Sequence, residues 1–287
     1  MHGSRRLEAF LELPLVLPLA TIIVVPAIVL FGYSLFTWVQ FQPTGALTIE
    51  NYVVILSDPL SAKVAQNTLL IGIPTALFSI LGGYLLAYYI TFGTGRGRQL
   101  MFILVVTALM ASYLVRVYAW RTLLGASGIL NSALIGGGVV DRPIEFIIFS
   151  KVSAVIVEVS IFTPLAALIF FAALSGIPPD LREAARDLGA SRGRALRRVT
   201  VPLTGPAILS TSTLIFFLAV GDFITPVFVG GTDAVTVGTR IVTFVSSTGD
   251  YGMGAAWSFV LLGCFVLIYG GLQRLMRTGG FLPDRVA

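Results

Sequence analysis

Cysteine, histidine and lysine are almost absent from this sequence, and charge of either sign is sparse. Cys264 is the single cysteine, so no disulfide forms within the chain and no thiolate cluster holds a metal. His2 is the single histidine, which removes zinc centres built on imidazole and nucleophilic catalysis relayed through histidine. The lysines, Lys63 in "LSAKV" and Lys151 in "FSKVS", close no G-x-x-x-x-G-K-[ST] loop, so the chain lacks the phosphate cradle with which to hydrolyse ATP itself. No cofactor is expected in this chain. An intramembrane serine–lysine catalyst is disfavoured too, because Ser150 and Lys151 are neighbours and neighbours point apart on a helix.

Only 11% of residues are charged, against about 25% in a typical soluble domain. What fills the chain instead is apolar length: 56% hydrophobic residues and a mean hydropathy of +0.92. This is the composition of a bilayer protein. Crossing a hydrocarbon core of about 30 Å takes roughly 20 apolar residues in a helix. Six such runs occur, approximately Leu13–Phe36, Thr68–Ile90, Leu100–Tyr118, Val152–Leu174, Leu203–Val229 and Gly254–Leu272. Runs this long suit helices rather than the alternating strands of a barrel, so the fold class is all-α, a polytopic membrane protein with six transmembrane helices. The first run follows Arg5 and Arg6 but is too long for a signal core, and is read as a retained helix. One domain, 1–287, is expected, since no connection is long enough to fold alone. The outer connections, about 37–67, 119–151 and 230–253, are read as loops, the second turning at Gly136–Gly138 and Pro143.

An even number of spans puts both termini on one side. Placing them in the cytoplasm puts 13 of the 19 basic residues inside and 6 outside, as the positive-inside rule requires. The basic balance follows from that topology and gives nucleic-acid binding no separate support.

The basic residues concentrate in Leu181–Pro202, "LREAARDLGASRGRALRRVTVP", on the inner connection of about 175–203. After Pro178 and Pro179, Asp180 is placed to cap a short helix through "LREAARDLG". Leu181, Ala184, Ala185 and Leu188 recur at helical spacing and form an edge of mostly small side chains, flanked by Arg182, Glu183, Arg186 and Asp187. Gly189 suits a left-handed C-cap, and "ASRGRALRRVTVP" reads as a second short helix leading to Pro202. Small side chains admit close approach of another surface, with the charged rim fixing register. A plain topology anchor against anionic headgroups is the alternative.

The stretch resembles the EAA loop of ATP-binding-cassette importer permeases, E-A-A-x-x-x-G followed nine residues later by I-x-L-P. Glu183, Ala184, Ala185 and Gly189 match, and Val199, Thr200, Val201 and Pro202 follow in register with valine at the two aliphatic positions. The resemblance extends over nearly the whole chain and implies a type I importer permease. The loop between helices 4 and 5 would be a coupling helix docking on a separate ATPase, through Glu183, Ala184, Ala185, Arg186, Asp187 and Gly189. It further implies two ATPase subunits that bind ATP and Mg, a second related permease forming a heterodimer, an extracytoplasmic binding protein, and a bacterial inner-membrane location. "ASYLVRVYAWRTLLGASGILN" and "GDFITPVFVGG" are similar to the corresponding stretches of spermidine/putrescine permeases. Permeases for aminoethylphosphonate, opines or ferric iron share such segments.

Candidate cargo residues follow from height in the membrane. At about 1.5 Å per residue, Arg116 lies about 27 Å from Arg98, near the outer face. Asp222 falls near the outer end of its run and Glu158 in the outer half of its own. An intramembrane carboxylate needs a partner or water, and acids there mark solute routes. Glu158 and Asp222, with Tyr113, Tyr118 and Trp120 at similar height, would receive a cation through charge and ring faces. Against this stand a Lys151–Glu158 pairing two turns apart, hydration of Asp222 at the interface, and an ordinary aromatic belt. An ion-driven secondary transporter or channel is the rival class.

Overall fold

The computed structural model describes residues 18, 20–45, 47–144 and 149–278. Helices dominate. In chain order they are α1 (Ala20–Ser34), α2 (Glu50–Ser57), α3 (Pro59–Phe92), α4 (Arg96–Met110), α5 (Tyr113–Leu124), α6 (Ile129–Gly136) and α7 (Lys151–Ser175). Then come α8 (Pro179–Asp187), α9 (Arg192–Ala195), α10 (Val201–Leu203), α11 (Gly205–Gly221), α12 (Val237–Val242) and α13 (Tyr251–Thr278). Among the described residues three helices are long and apolar enough to cross a membrane, and up to five spans result if each of two bent pairs counts as one. The helix α1 is apolar but shorter, and the start of its expected run, Leu13 onward, lies partly outside the described residues.

Two expected runs are not continuous. The run Leu100–Tyr118 is broken at Ala111 and Ser112, both extended, where the axis turns by 102°. The run Leu203–Val229 turns by 70° where α10 meets α11 and stops again at Gly221. Proline chemistry underlies the 70° turn: Pro202 has no N–H to donate and Pro206 follows close behind, so residues Leu196–Thr200 widen into a π-helical turn before the bend. Conversely, α3 starts well before the expected Thr68. Asp58 Oδ1 accepts the Leu60 N–H at 2.9 Å and Pro59 stands at the first helical position, a strong start signal that precedes the apolar run.

The chain forms two compact units. The first comprises residues 1–61 and 240–263. Here the expected outer loop is structured: β1 (Thr37–Val39) and β2 (Gln42–Thr44) pair antiparallel, with Thr37 opposite Thr44. Gln40 and Phe41 turn the hairpin with left-handed backbones, φ 48° and 66°, costly for residues with large side chains. Phe41 is held there by its N–H to Gly249 O at 3.1 Å and by its ring against Tyr251 at 5.8 Å. Gly249, itself at φ 68°, leaves room for that ring, since a Cβ would meet it at 2.9 Å.

The second unit comprises residues 62–239 and 264–287, and α7 is its centre. Its buried residues include Ala154, Val157, Ile161, Ala166, Ala167 and Phe170, and it packs on α4, α5 and α11. Small residues set the closest approach: a Cβ on Gly83 of α3 would meet Ala166 Cβ at 2.6 Å, and one on Gly72 would meet Val220 of α11 at 2.7 Å. Helices that are apolar on every side gain nothing from hiding an apolar face from lipid, so close backbone contact and interhelical hydrogen bonds select the partners.

Candidate functional site

The interruption of α11 creates the site. Asp222 follows Gly221 with an extended backbone, and its Oδ1 accepts the Ile224 N–H at 2.8 Å, with the Thr225 N–H 3.3 Å from Oδ2. It thereby caps the helical stretch 224–230. The break before α5 makes Tyr113 that helix's first residue. Its hydroxyl donates to Asp222 Oδ2 and shares a 2.8 Å bond with Thr225 Oγ1.

Beside this group opens a cleft of about 390 Å³ whose walls include Tyr113, Phe162, Phe217, Asp222 and Phe223. Asp222 keeps 9% of its surface exposed. One carboxylate among several ring faces is an arrangement that attracts a cation, since the ring quadrupole presents its negative face. Arg116, one turn beyond Tyr113, does not reach outward to snorkel. Its Nη1 donates to Ile161 O at 3.2 Å and its Nε is buried with no partner.

Glu158 is fully buried, at 0% exposure. Thr75 of α3 donates to Oε2 at 2.9 Å, while Oε1 has no partner. The residue stands within electrostatic range of Asp222. Among the described residues it makes no ion pair with Lys151, because the neighbouring helix supplies Thr75 instead, and neither Glu158 nor Trp120 lines the cleft. Trp120 is half-buried two turns along α5 from Tyr113. Tyr113 and Asp222 are thus brought together, with Glu158 behind them and Trp120 apart.

On the inner connection α8 opens at Pro179, so Asp180 sits in the first turn and Pro178 takes the cap position expected for it. The end is a Schellman turn: Ala190 N–H to Ala185 O at 3.0 Å and Gly189 N–H to Arg186 O at 2.8 Å, with Gly189 at φ 80°. Glu183, Ala184, Arg186 and Asp187 are exposed and Ala185 is half-buried. The apolar edge is uncovered, with Leu181 at 44% and Leu188 at 89% exposure.

Sequence reasoning missed Thr75, Thr225 and the phenylalanine walls. Asp222 itself carried a helix-start signal, an aspartate just after Gly221 and ahead of a helical stretch, but nothing marked Thr225 as its neighbour. Thr75 was no more legible, since nothing in a single apolar helix marks which hydroxyl meets a carboxylate 83 residues away. Among the described residues no three His, Cys, Asp or Glu side chains converge to hold a metal ion.

The sequence model of the family described as binding-protein-dependent transport system inner membrane component matches residues 68–277. The spermidine/putrescine transport system permease protein PotB of Escherichia coli K12 is 30% identical over 233 residues, covering 80% of this chain and 84% of that protein. PotB of Haemophilus influenzae is 31% identical, covering 80% and 81%. Among solved structures, a bacterial alginate ABC transporter in complex with an alginate-bound periplasmic protein superposes with a TM-score of 0.76 at 19% identity, covering 97% of this chain and 96% of that one. A methionine ABC transporter in an inward-facing conformation superposes with a TM-score of 0.57, covering 76% and 95%.

Proposed function

Because the chain belongs to the family of binding-protein-dependent transport system inner membrane components and is a non-catalytic permease subunit of an ABC importer, we propose that its cargo is a polyamine. The observation that carries the cargo reading is the cleft in which the Asp222 carboxylate faces a space walled by Tyr113, Phe162, Phe217 and Phe223. A linear polycation needs a negative charge for each ammonium and an apolar surface for the methylenes between them, and the cleft offers one of each. Tyr113 holds the carboxylate in place. Glu158, buried and off the wall of the cleft, and Trp120, two turns along α5, are assigned to the same route beyond the cleft. The relatives named for spermidine and putrescine transport agree with this chemistry.

In the working complex the chain pairs with a second, related permease as a heterodimer. Six spans, the first partly outside the described residues, place both termini and the inner connection in the cytoplasm. There two ATPase subunits, binding ATP and Mg, dock on the permease pair, one of them on α8. Glu183, Ala184, Ala185, Arg186, Asp187 and the turn at Gly189 transmit their closure to the spans, and the exposed Leu181 and Leu188 supply apolar contact. An extracytoplasmic binding protein delivers cargo on the other side, a role supported by the alginate transporter's being found in complex with an alginate-bound periplasmic protein. Rigid helices relay such a movement because packed interfaces switch between discrete arrangements.

The cargo test is ATPase stimulation and uptake by the reconstituted complex with its binding protein, offered polyamines, phosphonates and amino-acid derivatives in turn. Spermidine or putrescine is expected to stimulate both. Indifference to every polyamine, with stimulation by an anionic solute, assigns the cargo elsewhere and leaves the importer class untouched.

A further inference from the structure

A second cavity, of about 400 Å³, lies at the opposite end of α3 from its first turn, lined by Ile90, Gly95, Arg98, Gln99, Phe102 and Phe171. Its floor is apolar: Ile90 is buried and the rings of Phe102 and Phe171 meet at 5.1 Å. Its mouth carries Arg98, which is exposed, and Arg96 stands exposed beside it.

Two features of α3 and α4 locate this cavity relative to lipid. Along α4 the exposed residues change character at one point: Arg96 to Gln99 are polar or glycine, whereas Leu100, Ile103 and Leu104 are 50–55% exposed and apolar. Solvated chain therefore gives way to hydrocarbon at Gln99 and Leu100. On α3 the exposed Tyr89 marks the same level, its hydroxyl lying so close over Gly97 that a Cβ there would approach it to 2.6 Å. Tyrosine favours the headgroup boundary, where its ring is in acyl chain and its hydroxyl in water. The cavity straddles this boundary.

Charge is unbalanced in one direction. Of the three helices that form the walls, α3 and α4 contain no acidic residue, and α7 contains only Glu158, about 20 Å along the helix from Phe171. The first turn of α4 adds N–H groups with no side-chain cap, on a helix of 15 residues whose dipole favours an anion. An apolar floor below the boundary and a cation above it match one molecule with both parts.

We propose that this cavity binds an anionic phospholipid of the adjoining leaflet, its phosphate paired with Arg98 and the upper part of a chain against Phe102 and Phe171. The pairing also pins the α3–α4 turn at the membrane surface. This site is independent of the cargo reading, and neither stands on the other.

The experiment uses the assembled transporter, purified in mild detergent and offered phosphatidylglycerol and phosphatidylcholine of identical chains, with native mass spectrometry counting retained lipid. The wild-type complex is expected to retain phosphatidylglycerol with a preference of about fivefold, the attraction of one surface arginine. Arg98→Gln is expected to bring the ratio to parity, Arg98→Lys to keep most of it, and Arg274→Gln to leave it unchanged. Equal retention of the two lipids by wild type overturns the proposal, and that measurement needs no variant should Arg98→Gln fail to assemble. An unchanged preference in Arg98→Gln overturns it as well, as does an equal loss in Arg274→Gln, which assigns the effect to diffuse charge. Displacement by millimolar inorganic phosphate makes this a free-anion site and not a lipid site.

Discussion

Thr75 and Glu158 form a fully buried side-chain contact between α3 and α7, and its balance is uneven: one carboxyl oxygen accepts a hydroxyl at 2.9 Å and the other has no partner. Replacing Thr75 with valine leaves the carboxyl group without any partner, at a cost of about 1–3 kcal/mol. The thermal midpoint of the assembled complex is expected to fall accordingly. Glu158→Gln keeps an acceptor for Thr75 and cannot carry a charge that burial would make costly, so it is expected to melt at or above the wild-type midpoint. A lower midpoint for Glu158→Gln than for Thr75→Val means that the charge itself is stabilised by something other than Thr75. At the cleft, Asp222→Asn preserves an oxygen to cap Ile224 and Thr225 but not the negative charge. The apparent KM for polyamine uptake is expected to rise about tenfold, the loss of roughly 1.4 kcal/mol of charge pairing, with the melting midpoint little changed. A Tyr113→Phe change removes the donor to Asp222 and is expected to raise KM less than Asp222→Asn does.

Individual elements meet through their smallest residues. Gly83 on α3 lies against Ala166 of α7 so closely that an added methyl group would overlap it at 2.6 Å, with the Ala167 backbone nitrogen 2.9 Å away. Backbone cannot give way as a flexible side chain does, so Gly83→Ala is expected to spread the two helices and lower the midpoint by several degrees. Gly263→Ala on α13, where nothing lies within 4 Å, is the control and is expected to be neutral. Equal behaviour of the two variants would show that α3 and α7 are not tightly packed. The turn after α8 obeys a different rule. Gly189 has open space around it but a φ of 80°, so Gly189→Ala costs about 1–2 kcal/mol through backbone strain alone. Faster proteolysis within residues 185–195 of the purified complex would register it.

For the whole molecule the proposed coupling of α8 to a partner ATPase is the property to test. Glu183 is exposed on a helix whose apolar edge is uncovered, so its replacement disturbs little within this chain. Glu183→Arg is expected to abolish the stimulation of ATP turnover by loaded binding protein and to abolish uptake, with the melting midpoint unchanged. Normal stimulation with normal uptake removes the assigned role. The chain alone in liposomes is expected to move no polyamine, which separates this reading from an ion-driven transporter.

What the sequence alone determined is whatever depends on neighbours along the chain. Composition and run length dictated helices in a bilayer, and Gly189 with the preceding "LREAARD" dictated a short helix closed by a left-handed turn, because these follow from solvation and from the local backbone. The hairpin at 37–44 and the start of α3 at Pro59 rest on turn and capping chemistry, which hydropathy does not register. Only the tertiary structure decided which polar groups meet: Tyr113 with Asp222, 109 residues apart, and Thr75 with Glu158. Helices apolar all round carry no stripe to announce their inward face, so the pairing rests on close fit and single hydrogen bonds, which exist only once the helices are packed.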